Sequence, residues 1–220
     1  AVKPIKIKIK EILDIYRGTP ITGENVVLEE VPKLSEWPHP ADRISIQEAE
    51  ENIQYDIEIN TDGSKMDTNV GAAAEIFQNG QLVKKLLLKL GRYCSNNQAE
   101  QMAILQALIE IQKNKESGEK LCVVNTDSRI TIELLQNRQV RNKLIEEIKI
   151  KIKQLQEIGW KIHIKWVKAH VGLLGNELAD KFAKEAAQQD NGEVIYSMVA
   201  RTHIIKVAED TGLRMWQNQW

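Results

Sequence analysis

From residue 55 onward, hydrophobic and polar positions fall into two regular periods. Alternation predicts strands over residues 55–62, 70–78 and 81–90, with Asn79-Gly80 as the tight hairpin turn between the last two. Met102, Leu105, Leu108 and Ile109 form an apolar stripe that predicts a helix over 97–113. L121-C-V-V-N-T-D127 has the character of a buried strand, and W160-K-I-H-I-K-W-V167 alternates cleanly as another. Helices are predicted over 128–137, 141–158 and 176–188. One stretch fits both periods. I148-K-I-K-I-K153 alternates like a strand, yet Leu144, Ile148, Ile152 and Leu155 fall at helical spacing within a longer segment, and the helix is preferred. The order β-β-β-α-β-α-α-β-α is that of an α/β layer architecture with a mixed sheet.

Residues 1–50 follow neither period for long. P4-I-K-I-K-I-K10 alternates and suits a strand, and E11-I-L-D-I-Y16 suits a short helix. Proline, glycine and acidic residues then crowd R17-G-T-P-I-T-G23, E36-W-P-H-P40 and the run around Glu48, Glu50 and Glu51, as in a connector. This divides the chain into a connector (1–54), a domain (55–190) and a C-terminal helical extension (191–220). A length of 220 residues fits one good-sized domain with extensions. A formal charge of −1 gives no global basic signature, although a local patch suffices for nucleic-acid binding. Cys94 and Cys122 match no metal-ligand spacing and read as reduced thiols of an intracellular protein, with nucleus and cytoplasm not distinguished. No apolar run approaches a membrane span, so no membrane partner is expected, and no signal peptide is visible. The alanine at position 1 suits a fragment of something longer.

Four acidic residues sit where strand ends and helix starts converge on one edge of such a sheet. Asp62 ends the first predicted strand. Glu100 lies in the first turn of the helix that follows S95-N-N-Q-A-E100. Asp127 ends the fourth strand, and Asp180 follows H170-V-G-L-L-G-N-E-L-A-D180 in the last helix. Each has a plainer reading. Asp62-Gly63 is also a turn pair, Glu100 stands three after Asn97 as in a capping box, Asp127 precedes Ser128 as an N-cap would, and Asp180 suits a solvated helix position. Their joint order on successive elements favours a single site.

The stretches T61-D-G-S64, N96-N-Q-A-E100, N125-T-D-S128 and W166-V-K-A-H-V-G-L-L-G-N-E-L-A-D180 resemble the four motifs of type 1 ribonuclease H, over roughly residues 55–188. The resemblance implies a ribonuclease H-like fold, a five-stranded mixed sheet flanked by helices. It also implies cleavage of the RNA strand of an RNA–DNA hybrid with two divalent ions, normally Mg2+, for which Mn2+ can substitute. Hard ions of this kind take oxygen ligands, hence carboxylates. By the resemblance, Asp62 touches both ions, Glu100 and Asp127 hold one side, and Asp180 holds the other. It assigns His170 to proton shuttling and product release, which suits a group titrating near neutrality. Asn96, Asn97 and Gln98 become candidates for minor-groove contacts to the hybrid. Gly63, Ser64 and Ser128 are candidates for backbone or ligand contacts. Asn176 and Glu177 lie in the loop-to-helix frame, Glu177 near the product-side ion. His163, between Ile162 and Ile164, reads as a strand side chain.

Some members of the family carry a basic, Trp-containing helix as a handle for the hybrid. Here the helices near 128–137 and 141–158 are joined almost directly, and Lys143, Lys149, Lys151 and Lys153 read as a solvated face. Weak, salt-dependent affinity for hybrid is therefore expected. The run from His170 and the terminal L213-R-M-W-Q-N-Q-W220 resemble the ribonuclease H region of non-LTR retrotransposon polyproteins, in which the domain follows a reverse transcriptase. Trp216 and Trp220 also suit a helix packing i,i+4 aromatics on the domain. Two other functions fit the same motifs: a domesticated domain that binds hybrid or protein without cutting, and a nuclease-fold enzyme acting on DNA.

Overall fold

Residues Ile57–Met66 (β2), Asn69–Gln78 (β3) and Gln81–Leu90 (β4) form an antiparallel meander in the computed structural model. Lys120–Thr126 (β5) and Trp160–Trp166 (β6) add in parallel on the other side of β2. Two short edge strands complete the sheet: Gln47–Glu48 (β1) beside β6, and Val194–Tyr196 (β7) beside β4. The order is β1-β6-β5-β2-β3-β4-β7, so the five expected strands form the centre of a seven-stranded mixed sheet. The helices are Asn96–Lys113 (α1), Arg129–Gln136 (α2), Lys143–Glu157 (α3) and Leu174–Gln188 (α4). The structure describes residues 27–29, 47–49, 53–67, 69–113, 118–137, 142–168, 174–189 and 192–200, with 202–203, 205–206, 213 and 217. The predicted strand over 4–10 and helix over 11–16, together with His39, Trp216 and Trp220, lie outside them.

The chain forms two compact units, residues 30–196 and residues 1–29 with 197–220. In the smaller unit, Leu28 and Val199 pair as a parallel bridge, with the Val199 N–H donating to Val27 O and the Glu29 N–H to Val199 O, each at 2.9 Å. In the larger unit, the sheet, α1, α2 and α3 share one hydrophobic core, and α4 packs on β2, β3 and β4.

The strand expected to stop at Asp62 runs four residues further. β2 pairs with β3 from Ile57↔Gln78 to Met66↔Asn69, so Asp62, Gly63 and Ser64 are strand residues. The chain reverses at Asp67, whose φ of 49° is a left-handed conformation that Asp tolerates better than most residues. Asp62-Gly63 is therefore not a turn, because a continuous ladder with β3 claims both residues. At the next reversal Asn79 and Gly80 have φ of 50° and 76°, both positive as a type I′ hairpin turn requires.

Two strand glycines set how close the helices come. A Cβ on Gly63 would lie 2.6 Å from Glu100 N and 2.9 Å from Ala99 Cβ, so α1 begins directly against β2. A Cβ on Gly71 would overlap the backbone of Ala183 and Ala187, so α4 presses on β3. Gly63 pairs with Ala72, and cross-strand partners share a face. Gly71, next along β3, faces the other way, which places α1 and α4 on opposite faces of the sheet. α1 packs on β2 and β3 and also against α3. It is therefore buried well beyond its predicted stripe, at Gln98, Ala99, Glu100, Gln101, Ala103, Ile104 and Ala107 among others. The ambiguous 148–153 stretch is helical, with Leu144, Ile145, Ile148, Ile152 and Leu155 buried. Lys149 and Lys151 do not simply face water. Lys149 donates to Asn137 O and Glu146, and Lys151 to Gln112 and Gln154.

Candidate active site

The parallel ladder between β2 and β5 registers Asn60 with Asn125 as its last pair. Asp62 stands two residues further along β2, on the face of Asn60, and Asp127 follows directly on the end of β5. Beside them, the missing side chain of Gly63 admits the first turns of α1, which carry Glu100. Ligand oxygens of Asp62, Glu100 and Asp127 lie within 4.8 Å of one another. Asp62 is 6% exposed and Glu100 4%, while Asp127 is half-buried.

This crowding alters the chemistry of the acids. Burial, then the charges of Asp127 and Asp180, push Asp62 up to a pKa of about 7, against the opposing pull of Lys184 and the Gly63 N–H. Glu100 is raised well above the usual carboxylate range, by burial first and then by Asp62 and Asp127; the Gly63 N–H and the Asn96 side chain pull the other way. Asn96 Nδ2 donates to Glu100 Oε1 at 3.5 Å, and Glu100 Oε2 is buried without a hydrogen-bond partner. An unsatisfied buried oxygen facing two other carboxylates costs stability. A hard divalent cation would satisfy that oxygen and the neighbouring carboxylates together. The donor set fits such an ion.

The plainer readings of two acids fail on local geometry. The capping box at the start of α1 is Ser95 with Gln98, two residues earlier than the expected Asn97-to-Glu100 box. Gln98 N–H donates to Ser95 Oγ at 3.2 Å, and Ser95 N–H donates to Gln98 Oε1 at 2.9 Å. Glu100 is left free of capping. The N-cap of α2 is Ser128, which accepts from Thr131 N–H at 3.4 Å, and not Asp127.

Asp180 stands apart from the group of three. Its Oδ2 lies 2.6 Å from Lys184 Nζ, an i,i+4 ion pair on α4, yet its charge still acts on Asp62. His170 lies outside the described residues, as does the side chain of Asn176. Glu177 is exposed on the first turn of α4. Asn96 and Asn97 are exposed at the start of α1. Gln98, also expected to contact substrate, is instead 2% exposed and committed to the cap. Ser64 is buried in β2, and Gly63 makes room for α1. His163 is buried, with Tyr55 Oη 3.2 Å from its Nδ1.

Sequence reasoning passed over a polar layer beneath the acids. Asn125 Nδ2 donates to Asn60 Oδ1 at 3.0 Å. A Cβ on Gly175, in the first turn of α4, would lie 2.5 Å from Asn60 Nδ2. The acid-bearing β2 and α4 thus meet β5, which leads into Asp127, at one amide pair. Its signal was available: an Asn stands two before an Asp in both I-N-T-D and V-N-T-D.

A family model described as RNase H matches residues 54–188. No curated protein matches the chain. Among solved structures, prototype foamy virus protease–reverse transcriptase is similar with a TM-score of 0.53 and 22% identity; the match covers 68% of this chain and 23% of that one. The N-terminal RNase H domain of a Mycobacterium tuberculosis protein, solved as a fusion with maltose-binding protein, gives 0.48 and 21%, covering 60% and 98%. LC11-RNase H1, from compost and in complex with an RNA/DNA hybrid, gives 0.47 and 21%, covering 59% and 98%.

Proposed function

The chain belongs to the RNase H family, and from that premise we propose that it cuts the RNA strand of RNA–DNA hybrids at Asp62, Glu100, Asp127 and Asp180 with two divalent cations, normally Mg2+. The observation that carries this reading is Glu100 Oε2, buried and unbonded beside two more carboxylates. Bound there, the cations would polarise the phosphodiester and stabilise both the attacking and the leaving oxygen. The chain's own part is to hold the carboxylates rigidly against their repulsion. Asp62 sits in a strand paired on its β3 side, Glu100 is backed by the α1 packing at Gly63, and Asp127 leaves β5 just after the Asn60–Asn125 bond. Asp180 would join by exchanging Lys184 for a cation. His170 is assigned the proton-shuttling role, and Asn96 and Asn97 contacts to the hybrid minor groove. The resemblance of the run from His170 and of residues 213–220 supports a place in a non-LTR retrotransposon polyprotein, beside a reverse transcriptase. The two buried free cysteines support an intracellular setting.

The deciding experiment is cleavage of an end-labelled hybrid with Mg2+ and with chelator, alongside duplex DNA and duplex RNA. Mg2+-dependent cutting of the hybrid alone, lost in Asp62→Asn with its circular dichroism unchanged, upholds the proposal. Cutting of duplex DNA in preference, or activity in Asp62→Asn within a few-fold of the parent, refutes it.

A further inference from the structure

At the Asp127 end of the site, an arginine is laid on a tryptophan. Arg129 opens α2, two residues after Asp127, and its Cζ lies 4.1 Å from the centroid of the Trp166 ring. Trp166 ends β6 in register with Thr126, and its Nε1–H donates to Asp127 O at 3.2 Å. The ring is thus fastened to the backbone of a site carboxylate, and the guanidinium is fastened to the ring. Both side chains are exposed, Trp166 to 39%.

Arg129 has no ion-pair partner among the described residues, although three carboxylates are clustered nearby. A guanidinium over a ring face uses its charge there and keeps N–H donors for other partners. Planar paired donors match two oxygens of a phosphodiester, and a stacked guanidinium loses less freedom on binding than a loose one. The chain as a whole carries a formal charge of −1, so attraction for a polyanion must come from local cations. Lys168, exposed two residues beyond Trp166, adds positive charge at the same end of the sheet.

We propose that Arg129, held over the Trp166 ring, anchors a non-scissile phosphate of the hybrid on the Asp127 side of the site, where its charge and its paired donors both act. The proposal deepens the ribonuclease reading and rests on it for the identity of the polyanion. Arg129 is a substrate-positioning residue here and takes no part in bond cleavage.

The test uses Arg129→Ala, Arg129→Lys and Trp166→Phe in the full chain. Cleavage kinetics are measured on labelled hybrid, and hybrid binding is measured across a salt titration in chelator. Arg129→Ala should raise KM about tenfold, as for loss of one charge-assisted hydrogen bond, with kcat within about twofold. Its plot of log affinity against log salt should flatten by about one. Arg129→Lys should restore the salt slope but only part of KM, because a point charge neither stacks nor forks. Trp166→Phe keeps a ring but loses the bond to Asp127 O, and should fall between parent and Arg129→Ala in KM. Methylphosphonate linkages placed singly in the DNA or RNA strand then locate the phosphate: at one position, Arg129→Ala should cause no further loss. An unchanged KM and salt slope in Arg129→Ala overturns the proposal and leaves Arg129 as a cover for Trp166. So does a raised KM with an unchanged slope. If the parent binds hybrid without cutting it, the ribonuclease reading fails by itself, and the salt slopes alone decide the role of Arg129.

Discussion

Gly63→Ala tests the contact that brings Glu100 to Asp62. The added methyl would sit 2.6 Å from Glu100 N, 2.9 Å from Ala99 Cβ and 3.0 Å from Ala99 C. Ordinary contact begins at 3.4 Å, so helix and strand must separate by about 0.8 Å. Neither side yields readily. Gly63 is held in the β2–β3 ladder, and α1 is backed by α3. Overpacking of this kind costs about 1–3 kcal/mol. At the middle of that range, a chain of this size should melt about 4–8 °C lower. The effect on cleavage should be larger than the effect on stability. A displacement near 1 Å in a catalytic group costs on the order of a hundredfold in rate, and here Glu100 moves relative to Asp62. The assay pairs thermal unfolding with Mg2+-dependent hybrid cleavage at 20 °C, where both proteins are folded. A Tm within 1 °C of the parent, with cleavage within threefold, would show that α1 does not rest on Gly63, and the account of how Glu100 reaches the site would fall.

Asn60→Ala removes the amide bridge between β2, which carries Asp62, and β5, which leads into Asp127. It should lower Tm by about 2–4 °C, as for one partly buried hydrogen bond, and weaken Mg2+ activation; an unchanged Mg2+ midpoint would make the bridge merely structural. In cation-free protein the folded-state pKa of Asp62 is raised, so its contribution to stability is present below the usual carboxylate range and lost as pH rises through about 7. Asp127→Asn relieves part of that repulsion, and should raise the Tm in chelator at pH 8 while blunting the response to Mg2+ at constant ionic strength; equal Mg2+ responses would remove Asp127 from the ligand set. Glu75 is fully buried with neither oxygen bonded, and burial pushes it up to about 7 against the pull of Lys85. The same sign applies, so the Tm difference between Glu75→Gln and the parent should grow in favour of the variant from pH 5 to pH 8, and a difference flat with pH would refute the assignment.

What the sequence made legible was whatever one period or one turn could settle. Asn79-Gly80 announced its hairpin, and the contest over 148–153 went to the helix because Leu144, Ile148, Ile152 and Leu155 all needed burial on one side. Choices made by distant partners were hidden. Asp-Gly looks the same in a turn as in a strand, and only the pairing of β2 with β3 through Met66 decides between them. Two overlapping boxes, Ser95 with Gln98 and Asn97 with Glu100, satisfy the same local rule; the first caps α1, while Glu100 is drawn into the space beside Gly63. Edge strands of two and three residues, β1 and β7, are too short to carry a period.

These hidden choices share a cause. The β2–β5 ladder ends at Asn60↔Asn125, while the β2–β3 ladder continues for six more pairs to Met66↔Asn69. Beyond Asn60, β2 is therefore held on one side and open on the other. Asp62 stands in that open stretch, Asp127 leaves β5 beside it, and α1 closes in at Gly63 with Glu100. The rigidity that keeps three like charges together comes from the ladder that persists, and the room for them comes from the ladder that stops. A lone carboxylate at a strand end needs neither, which is why Asp62-Gly63 taken alone fitted a turn as well as a site.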